Sequence, residues 1–442
     1  QVAAQEGIEL IRDGPEGGIL WATKREDVLG HLQVAKSSQL LNRIPGLGAA
    51  CTKNMTHEAL SCGRPVPFWP QGWTYSGGKP EALSARVFAE LPQGAVVIVK
   101  PSKASQGTGI ALASSQEELS RVLSGVSRRL RESARGEQDL LRVSQEAVIQ
   151  RYIERPLLLG GLKFDFRVYV LVCPADARSQ EEESLGPAFL CREGLARFGT
   201  EPYVPVSDTG SHWTGVHLTN ASLSKVSDRF EATSDPDDGR QGSKRKLSAV
   251  VACLEEDGAI CKERFWSSLE TIATTLLRRF GPVVYAAAVS EETYAKPPIP
   301  ELDCRACARI APSRFGQAFN LLGLDVMLDS HGELFLLEAN ASPSLGIDHP
   351  APVAGPTAKQ ALPPFQRWAV RHDGVDWGKR CRCLEHFAAH QHELSPVDVA
   401  VKGAVVRGAL RILEARDRGD REAVWADGTA YTSLRGVPTK YL

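Results

Sequence analysis

The stretch that most constrains this chain runs from Gly323 to Asn340. Gly323-Leu324-Asp325-Val326-Met327-Leu328 and Glu333-Leu334-Phe335-Leu336-Leu337-Glu338-Ala339-Asn340 flank a turn, Asp329-Ser330-His331-Gly332. Two apolar runs around a turn rich in Asp, Ser and Gly predict an antiparallel hairpin. An even-length loop pairs Leu328 with Glu333 and Asp325 with Leu336. Because strand side chains alternate, Asp325, Glu338 and Asn340 are then expected on one face, together with Leu334 and Leu336. Two carboxylates and an amide form an all-oxygen set suited to Mg²⁺. The alternative is an acidic face in solvent, which the apolar neighbours disfavour because unpaired carboxylates beside them are costly.

Such a hairpin needs a core to stand on, and 442 residues with 43% hydrophobic and 24% charged side chains suffice for two or three domains of an ordinary globular protein. Lys and Arg total 52 against 53 Asp and Glu, so net charge argues for neither nucleic acid nor membrane as partner. No apolar run reaches bilayer-spanning length, and the start carries no signal-peptide pattern. The first residue is Gln1, and the chain is expected to be a fragment. The ten cysteines are scattered, which favours reduced thiols and a cytosolic setting. Cys304, Cys307, Cys381, Cys383, His386, His390 and His392 include metal-binding residue types. The Cys381-Arg382-Cys383 spacing is nonetheless too tight for a common zinc knuckle.

Residues 1–92 read as a small N-terminal domain containing Asn42-Arg43-Ile44-Pro45-Gly46. From Val96 a buried strand ends in Lys100-Pro101, followed by the small-residue loop Ser102-Lys103-Ala104-Ser105-Gln106-Gly107-Thr108-Gly109 and the run Ile110-Ala111-Leu112. Strand, glycine-containing loop and strand make a flap whose amides can approach phosphate, with Lys100 as point charge. It is not a P-loop, because no Gly-Lys-Ser/Thr opens a helix. A helix opening over 114–118 continues into a basic run at 128–135. Ala147 to Ile153 is a strand, leaving through Glu154-Arg155-Pro156 as a hinge. Lys163-Phe164-Asp165-Phe166-Arg167-Val168 alternates strictly, placing Lys163, Asp165 and Arg167 on one face. The apolar continuation to Val172 buries the strand, so this face is expected to bind anions. Phe189 to Phe198 reads as strand and turn, with Arg197 joining the same site. The polar run 234–246 is expected to be a disordered surface loop, 265–280 a helix, and 398–413 a closing amphipathic helix with Asp398 and Lys402 one turn apart.

In order, Lys100-Pro101 with Gln106-Gly107-Thr108-Gly109-Ile110, Gln150-Arg151-Tyr152-Ile153, Lys163-Phe164-Asp165-Phe166-Arg167, Glu193 to Phe198, His217-Leu218-Thr219-Asn220 and Leu337 to Leu345 resemble the tubulin tyrosine ligase-like family. The resemblance covers roughly residues 40 to 413, and six pieces in one order are more specific than any alone. It implies an α/β (α+β) ATP-grasp-like fold with the nucleotide held between a central domain (93–155) and a C-terminal domain (156–413). That second domain carries insertions near 230–246 and 347–395, and a tail follows over 414–442. It implies Lys100, Gln106, Gly107, Gly109, Ile110, Gln150, Arg151, Tyr152, Ile153, Lys163, Asp165 and Asn220 around ATP, with Asp325, Glu338 and Asn340 on Mg²⁺. Lys163, Arg167 and Arg197 are the implied catalytic residues, the arginines at the acyl-phosphate or incoming amino acid. Thr108, Arg151 and the 347–395 insertion depart from the family pattern.

The implied reaction is ATP-dependent ligation, most simply of glutamate onto glutamate side chains of tubulin tails through an acyl-phosphate. Glycine- and tyrosine-adding subtypes share every motif, and an inactive microtubule-binding member is the alternative outside catalysis. The implied partners are tubulin or microtubules and a free amino acid, with no nucleic acid and no membrane. A cytoplasmic, cytoskeletal monomer follows as the expectation, with cilium or basal body as a possible address.

Overall fold

A computed structural model of the chain describes residues 18–21, 39–102, 109–133, 146–173, 187–206, 216–219, 229–289, 317–352, 390–417 and 430–434. In chain order come β1 (Ile19–Leu20), β2 (Leu40–Leu41), α1 (Leu47–Ala50), α2 (Lys53–Ser61), β3 (Gly72–Tyr75), α3 (Pro80–Glu90), β4 (Val97–Pro101), β5 (Ala111–Ala113), α4 (Gln116–Ser133), β6 (Ala147–Arg151), β7 (Leu158–Leu159) and β8 (Leu162–Val172). There follow β9 (Ala188–Pro202), β10 (Lys244–Lys246), α5 (Leu247–Glu256), α6 (Lys262–Val289), β11 (Asn320–Leu328), β12 (Leu334–Asn340), β13 (Asp348–Pro352), β14 (His390–Leu394), α7 (Pro396–Asp417) and β15 (Tyr431–Ser433).

Two antiparallel sheets position the site. The smaller has the order β3-β6-β4-β5, and the β4–β5 pair is the expected flap hairpin, with Val97 opposite Ala113. Its β3 lies upstream of residue 92, and Trp73, Tyr75, Val87 and Leu91 share a core with Val97, Val99 and Ile149. The larger sheet runs β10-β9-β8-β11-β12, with β7 on β8 and β15 on β9. Alternation along β8 divides that sheet as the sequence indicates. Phe164, Phe166, Val168 and Val170 enter a core shared with α5 and α6, and Tyr169 and Leu171 pack under Val397, Val401 and Val405 of α7. Lys163, Asp165 and Arg167 continue the second face beyond the reach of that apolar cluster, so one end of the face is polar.

Several expectations need correction. The 234–246 run is ordered: Asp235 Oδ1 accepts from the Asp237 amide at 2.9 Å, and Asp238 Oδ1 from Arg240 at 2.7 Å. These local turns deliver Lys244, Arg245 and Lys246 to β10, which pairs with β9, and Arg245 lies 3.6 Å over the Phe198 ring. Charge and glycine content suggested disorder, but the side chains supply the missing backbone partners. Residues 189–198 form no turn; β9 runs through them, and a register shift opposite Val168 and Val170 absorbs the extra residues. Within the expected tail, the described residues 430–434 hold β15, which pairs with β9, and the Tyr431 hydroxyl donates to Val405 O at 3.0 Å. The closing helix spans Pro396–Asp417 and contains the expected Lys402–Asp398 pair at 2.8 Å.

The 347–395 insertion is closed at its base by antiparallel pairing of β13 with β14, Asp348 opposite Leu394; residues 353–389 lie outside the described ones. Among the described residues Cys51, Cys62, Cys173, Cys191, Cys253 and Cys261 are free thiols, while Cys304, Cys307, Cys381, Cys383 and His386 lie outside them. No described helix is long and apolar enough to cross a membrane.

Candidate active site

The hairpin that anchors the site pairs differently from the expected register. Leu328 faces Leu334 and Asp325 faces Glu338, with a bulge between Asp325/Val326 that leaves Leu337 as the extra residue. A bulge inverts side-chain parity along its strand. Leu334 and Leu336 therefore enter the core while Glu338 and Asn340 turn to the other face, with Ala339 buried between them. The oxygen set is on one face, as expected, but without the two leucines beside it.

That face closes one side of a cleft between the two sheets. Lys100, Gln150, Tyr152 and Ile153 line it from the smaller sheet and its exit, with Ile98 and Ile110 beside them. Lys163, Asp165, Arg197, Asp325, Glu338 and Asn340 line it from the larger sheet, and His217, Leu218 and Thr219 complete the wall near Tyr152. Arg151 is exposed and lines it; Gly109, which is not among the lining residues, has φ +72° and precedes Ile110 at the return of the flap. Gln106, Gly107 and Asn220 lie outside the described residues.

Two buried lysines dominate the electrostatics. Lys100 Nζ donates to Gln150 Oε1 at 2.9 Å and to the Leu337 carbonyl, exposed by the bulge, at 3.3 Å. Burial lowers its ammonium to about 8, with Glu338 opposing. Lys163 Nζ donates to the Tyr152 hydroxyl at 2.8 Å and to His217 O at 2.7 Å. Burial lowers it further, to about 7, against the attraction of Asp165. Desolvated ammonium groups are poised for an anion, whose charge restores what burial removed.

The arginines are held by carboxylates. Arg197 forks onto Asp165 at 2.6 and 2.7 Å and also reaches Asp325 at 2.8 Å. Arg167 lies over its strand neighbour Asp325, donating through both Nε and Nη2. Thr219 Oγ1 supplies Asp165 with another donor at 2.5 Å. Burial raises the Asp325 carboxyl, but the Arg167 and Arg197 guanidiniums outweigh it and hold the group well below the usual carboxylate range. Gly323 makes this possible: a Cβ there would stand 2.8 Å from Pro343 Cβ and 3.0 Å from Arg167 Cδ. The missing side chain lets Arg167 cross β11 beneath the segment that follows Asn340.

The donor chemistry fits Mg²⁺. Glu338 and Asp325 are cross-strand partners, and Asn340 Nδ2 donates to Glu338 Oε1 at 3.2 Å, leaving the amide oxygen available. Mg²⁺ commonly takes only one or two protein carboxylates and completes its shell with water and phosphate. Among the described residues no three His, Cys, Asp or Glu side chains cluster in a way that favours a metal held by protein alone.

Reasoning from the sequence left Thr219, His217 and Lys53 without roles. Thr219 and His217 sit inside a quoted motif, so their neighbour Asn220 was the available signal. Lys53, at the start of α2, lines the cleft with no motif around it.

Residues 35–353 match the family model described as the tubulin-tyrosine ligase family. Similar proteins include the tubulin polyglutamylase TTLL7 of Mus musculus, 28% identical over 317 residues, covering 70% of this chain and 29% of the relative. The tubulin polyglutamylase ttll-11 of Caenorhabditis elegans is 30% identical over 336 residues, covering 73% and 40%. A probable beta-tubulin polyglutamylase of Tetrahymena thermophila is 28% identical over 345 residues, covering 75% and 24%. The chain thus spans well under half the length of these curated relatives. With the matched model covering the flap, the cleft and the hairpin in one continuous stretch, the chain belongs to the tubulin-tyrosine ligase family.

Proposed function

We propose that this chain is an ATP-dependent carboxylate–amine ligase that adds glutamate to glutamate side chains of tubulin tails. The observation that carries the reading is the cleft itself: buried Lys100 from the smaller sheet and buried Lys163 from the larger one share it with Asp325, Glu338 and Asn340. Burying two cations there is costly unless a polyanion fills the site. ATP then lies between the unit built on the smaller sheet, ending near residue 155, and the unit of the larger sheet over 156–413. Gly109 and Ile110 of the flap, with Gln106 and Gly107 beside them in sequence, cover the phosphates. Gln150, Arg151, Tyr152 and Ile153 border the base, and Asn220 is assigned to the nucleotide by the resemblance alone.

In the proposed reaction an acceptor carboxylate attacks the γ-phosphorus, ADP leaves, and the amine of free glutamate displaces phosphate from the acyl-phosphate to form an amide. Asp325, Glu338 and Asn340 are the residues that would hold Mg²⁺, which when bound neutralises phosphate charge. Lys100 and Lys163 supply fixed positive charge that needs no reorganisation as the phosphoryl group transfers. Arg197, with Asp165 and Thr219 fixing its fork, and Arg167 orient the anionic reactants. Closure between the sheets keeps water from the acyl-phosphate. The choice of glutamate and of tubulin rests on the polyglutamylase relatives. The acidic tail, free glutamate, a monomeric state and a cytoskeletal location belong to the same proposal.

Incubation with tubulin, ATP and labelled glutamate, glycine or tyrosine tests this directly. Glutamate incorporation is the expected result, and incorporation of glycine or tyrosine alone would overturn the assignment.

A further inference from the structure

The segment Phe68-Trp69-Pro70-Gln71 passes behind the cleft and touches both of its walls through backbone carbonyls. Phe68 O accepts from the Leu336 amide of β12 at 2.9 Å, one residue before the extra residue of the bulge. Gln71 O accepts from the Arg151 amide at 2.8 Å, and Pro70 O from Gln150 Nε2 at 3.4 Å. With Nε2 so engaged, Gln150 Oε1 is turned to Lys100 Nζ, which also donates to the Leu337 carbonyl. The strap therefore joins the strand bearing Glu338 and Asn340 to the sheet bearing Lys100. Pro65, Pro67 and Pro70 carry no N–H, so it attaches by its acceptors and on a restricted backbone.

One side-chain bond clasps the strap to α2. Trp69 Nε1 donates to His57 Nδ1 at 3.0 Å, while Ser61 Oγ lies farther from the ring nitrogens, at 3.4 and 3.5 Å. An indole N–H can only donate, so Nδ1 accepts, which requires a neutral imidazole. Burial lowers His57 to about 4, with the Gly72 backbone opposing and Lys100 adding to the effect, so the ring is uncharged at neutral pH. His57 is 5% exposed. Gly72 gives it room: a Cβ there would stand 2.8 Å from Ile149 O and 2.9 Å from His57 Cε1. Neither His57 nor Trp69 lines the cleft.

We infer that the His57–Trp69 clasp fixes the spacing of the two cleft walls, which makes both side chains positioning residues for the metal side of the site. The inference rests on the Mg²⁺–ATP reading above, because Glu338 and Asn340 share one metal–phosphate complex with Lys100 only while β12 and the smaller sheet keep their relative place.

Three variants of the full chain test the clasp. Trp69→Phe removes the donor and keeps an aromatic ring; His57→Leu removes the acceptor, and His57→Asn, of the same shape as leucine, keeps one. Hydrogen exchange without nucleotide reads the tie itself. In Trp69→Phe and His57→Leu the Leu336 and Arg151 amides should exchange about fivefold faster, the size of one lost hydrogen bond. The Cys173 amide, bonded to Pro187 O at the far end of β8, should be unchanged. Calorimetric titration with ATP reads the consequence. Those two variants should bind about fivefold more weakly in Mg²⁺ and like wild type in EDTA, and His57→Asn should match wild type in both measurements. Unchanged exchange at Leu336 or Arg151 would overturn the inference, as would a His57→Asn protein as impaired as His57→Leu. A lowered melting temperature with wild-type affinity in Mg²⁺, or an equal loss with and without the metal, would reduce the clasp to packing and overturn it too. A wild-type chain that binds no ATP overturns the ligase reading, and the tie is then judged by exchange alone.

Discussion

At the scale of single residues, function depends on charges that burial has made expensive. Glu338 is the carboxylate whose oxygens are not taken by guanidinium, so it is the side chain on which the proposed metal set turns. Glu338→Gln keeps shape and one oxygen but removes the charge; kcat for ligation should fall ~10²-fold or more, with an unchanged melting temperature. Retained ligation would remove Glu338 from the site. Lys163 carries the pH signature. Its folded value of about 7 lies below the unfolded value near 10.4. The cost of burying its ammonium is therefore fully present below about pH 7, and ligand-free stability rises as pH increases from about 7 towards 10. A bound polyanion pulls the proton back, so ATP binding near pH 8 should take up protons and weaken as pH rises. Calorimetry in buffers of different ionisation enthalpy measures that uptake, and its absence would contradict the placement of Lys163 beside phosphate.

At the scale of elements, the β11–β12 hairpin shows what the sequence could and could not convey. Alternation made the two strands and the shared face of Asp325, Glu338 and Asn340 legible. The bulge was not, because one extra residue leaves no trace in a composition that is apolar on both sides of it; Leu337 looks no different from Leu336. Yet the bulge places the leucines in the core and turns the Leu337 carbonyl toward Lys100. Deleting Leu337 makes Leu336 and Glu338 consecutive and so keeps them on opposite faces, but it removes the bulge carbonyl that accepts from Lys100. The deleted protein should lose ATP binding and several degrees of melting temperature, whereas wild-type affinity would mean the bulge has no role. The 234–246 segment failed differently. Its charges look like a solvated loop in one dimension, but Lys244 and Arg245 find a carboxylate on α7 and an aromatic ring on β9 only after the chain has folded.

Across the whole molecule, α7 is joined to the larger sheet by a fully buried carboxylate. Asp398 meets Lys402 one turn along its own helix at 2.8 Å and Lys244 of β10 from below. The i,i+4 pair was readable in the sequence; Lys244, 154 residues away, was not. Removing one member of a buried network strands the others, at a cost of about 3–5 kcal/mol. Asp398→Ala should therefore lower the melting temperature sharply, and a loss under about 1 kcal/mol in denaturant titration would show the network to be idle. The same long-range logic explains the site as a whole. Each wall was legible as a motif, but the cleft exists because two sheets meet, and the contacts of Arg197 with both Asp165 and Asp325 depend on that sheet's register.

ATP is proposed to sit between those sheets, and a crystal structure with ADP and Mg²⁺ would show where it binds. Phosphate density is expected within reach of Lys100 and Lys163, metal density at Asp325, Glu338 and Asn340, and the base beside Tyr152 and Ile153. Nucleotide bound elsewhere on the molecule, with the cleft between the sheets unfilled, would contradict it.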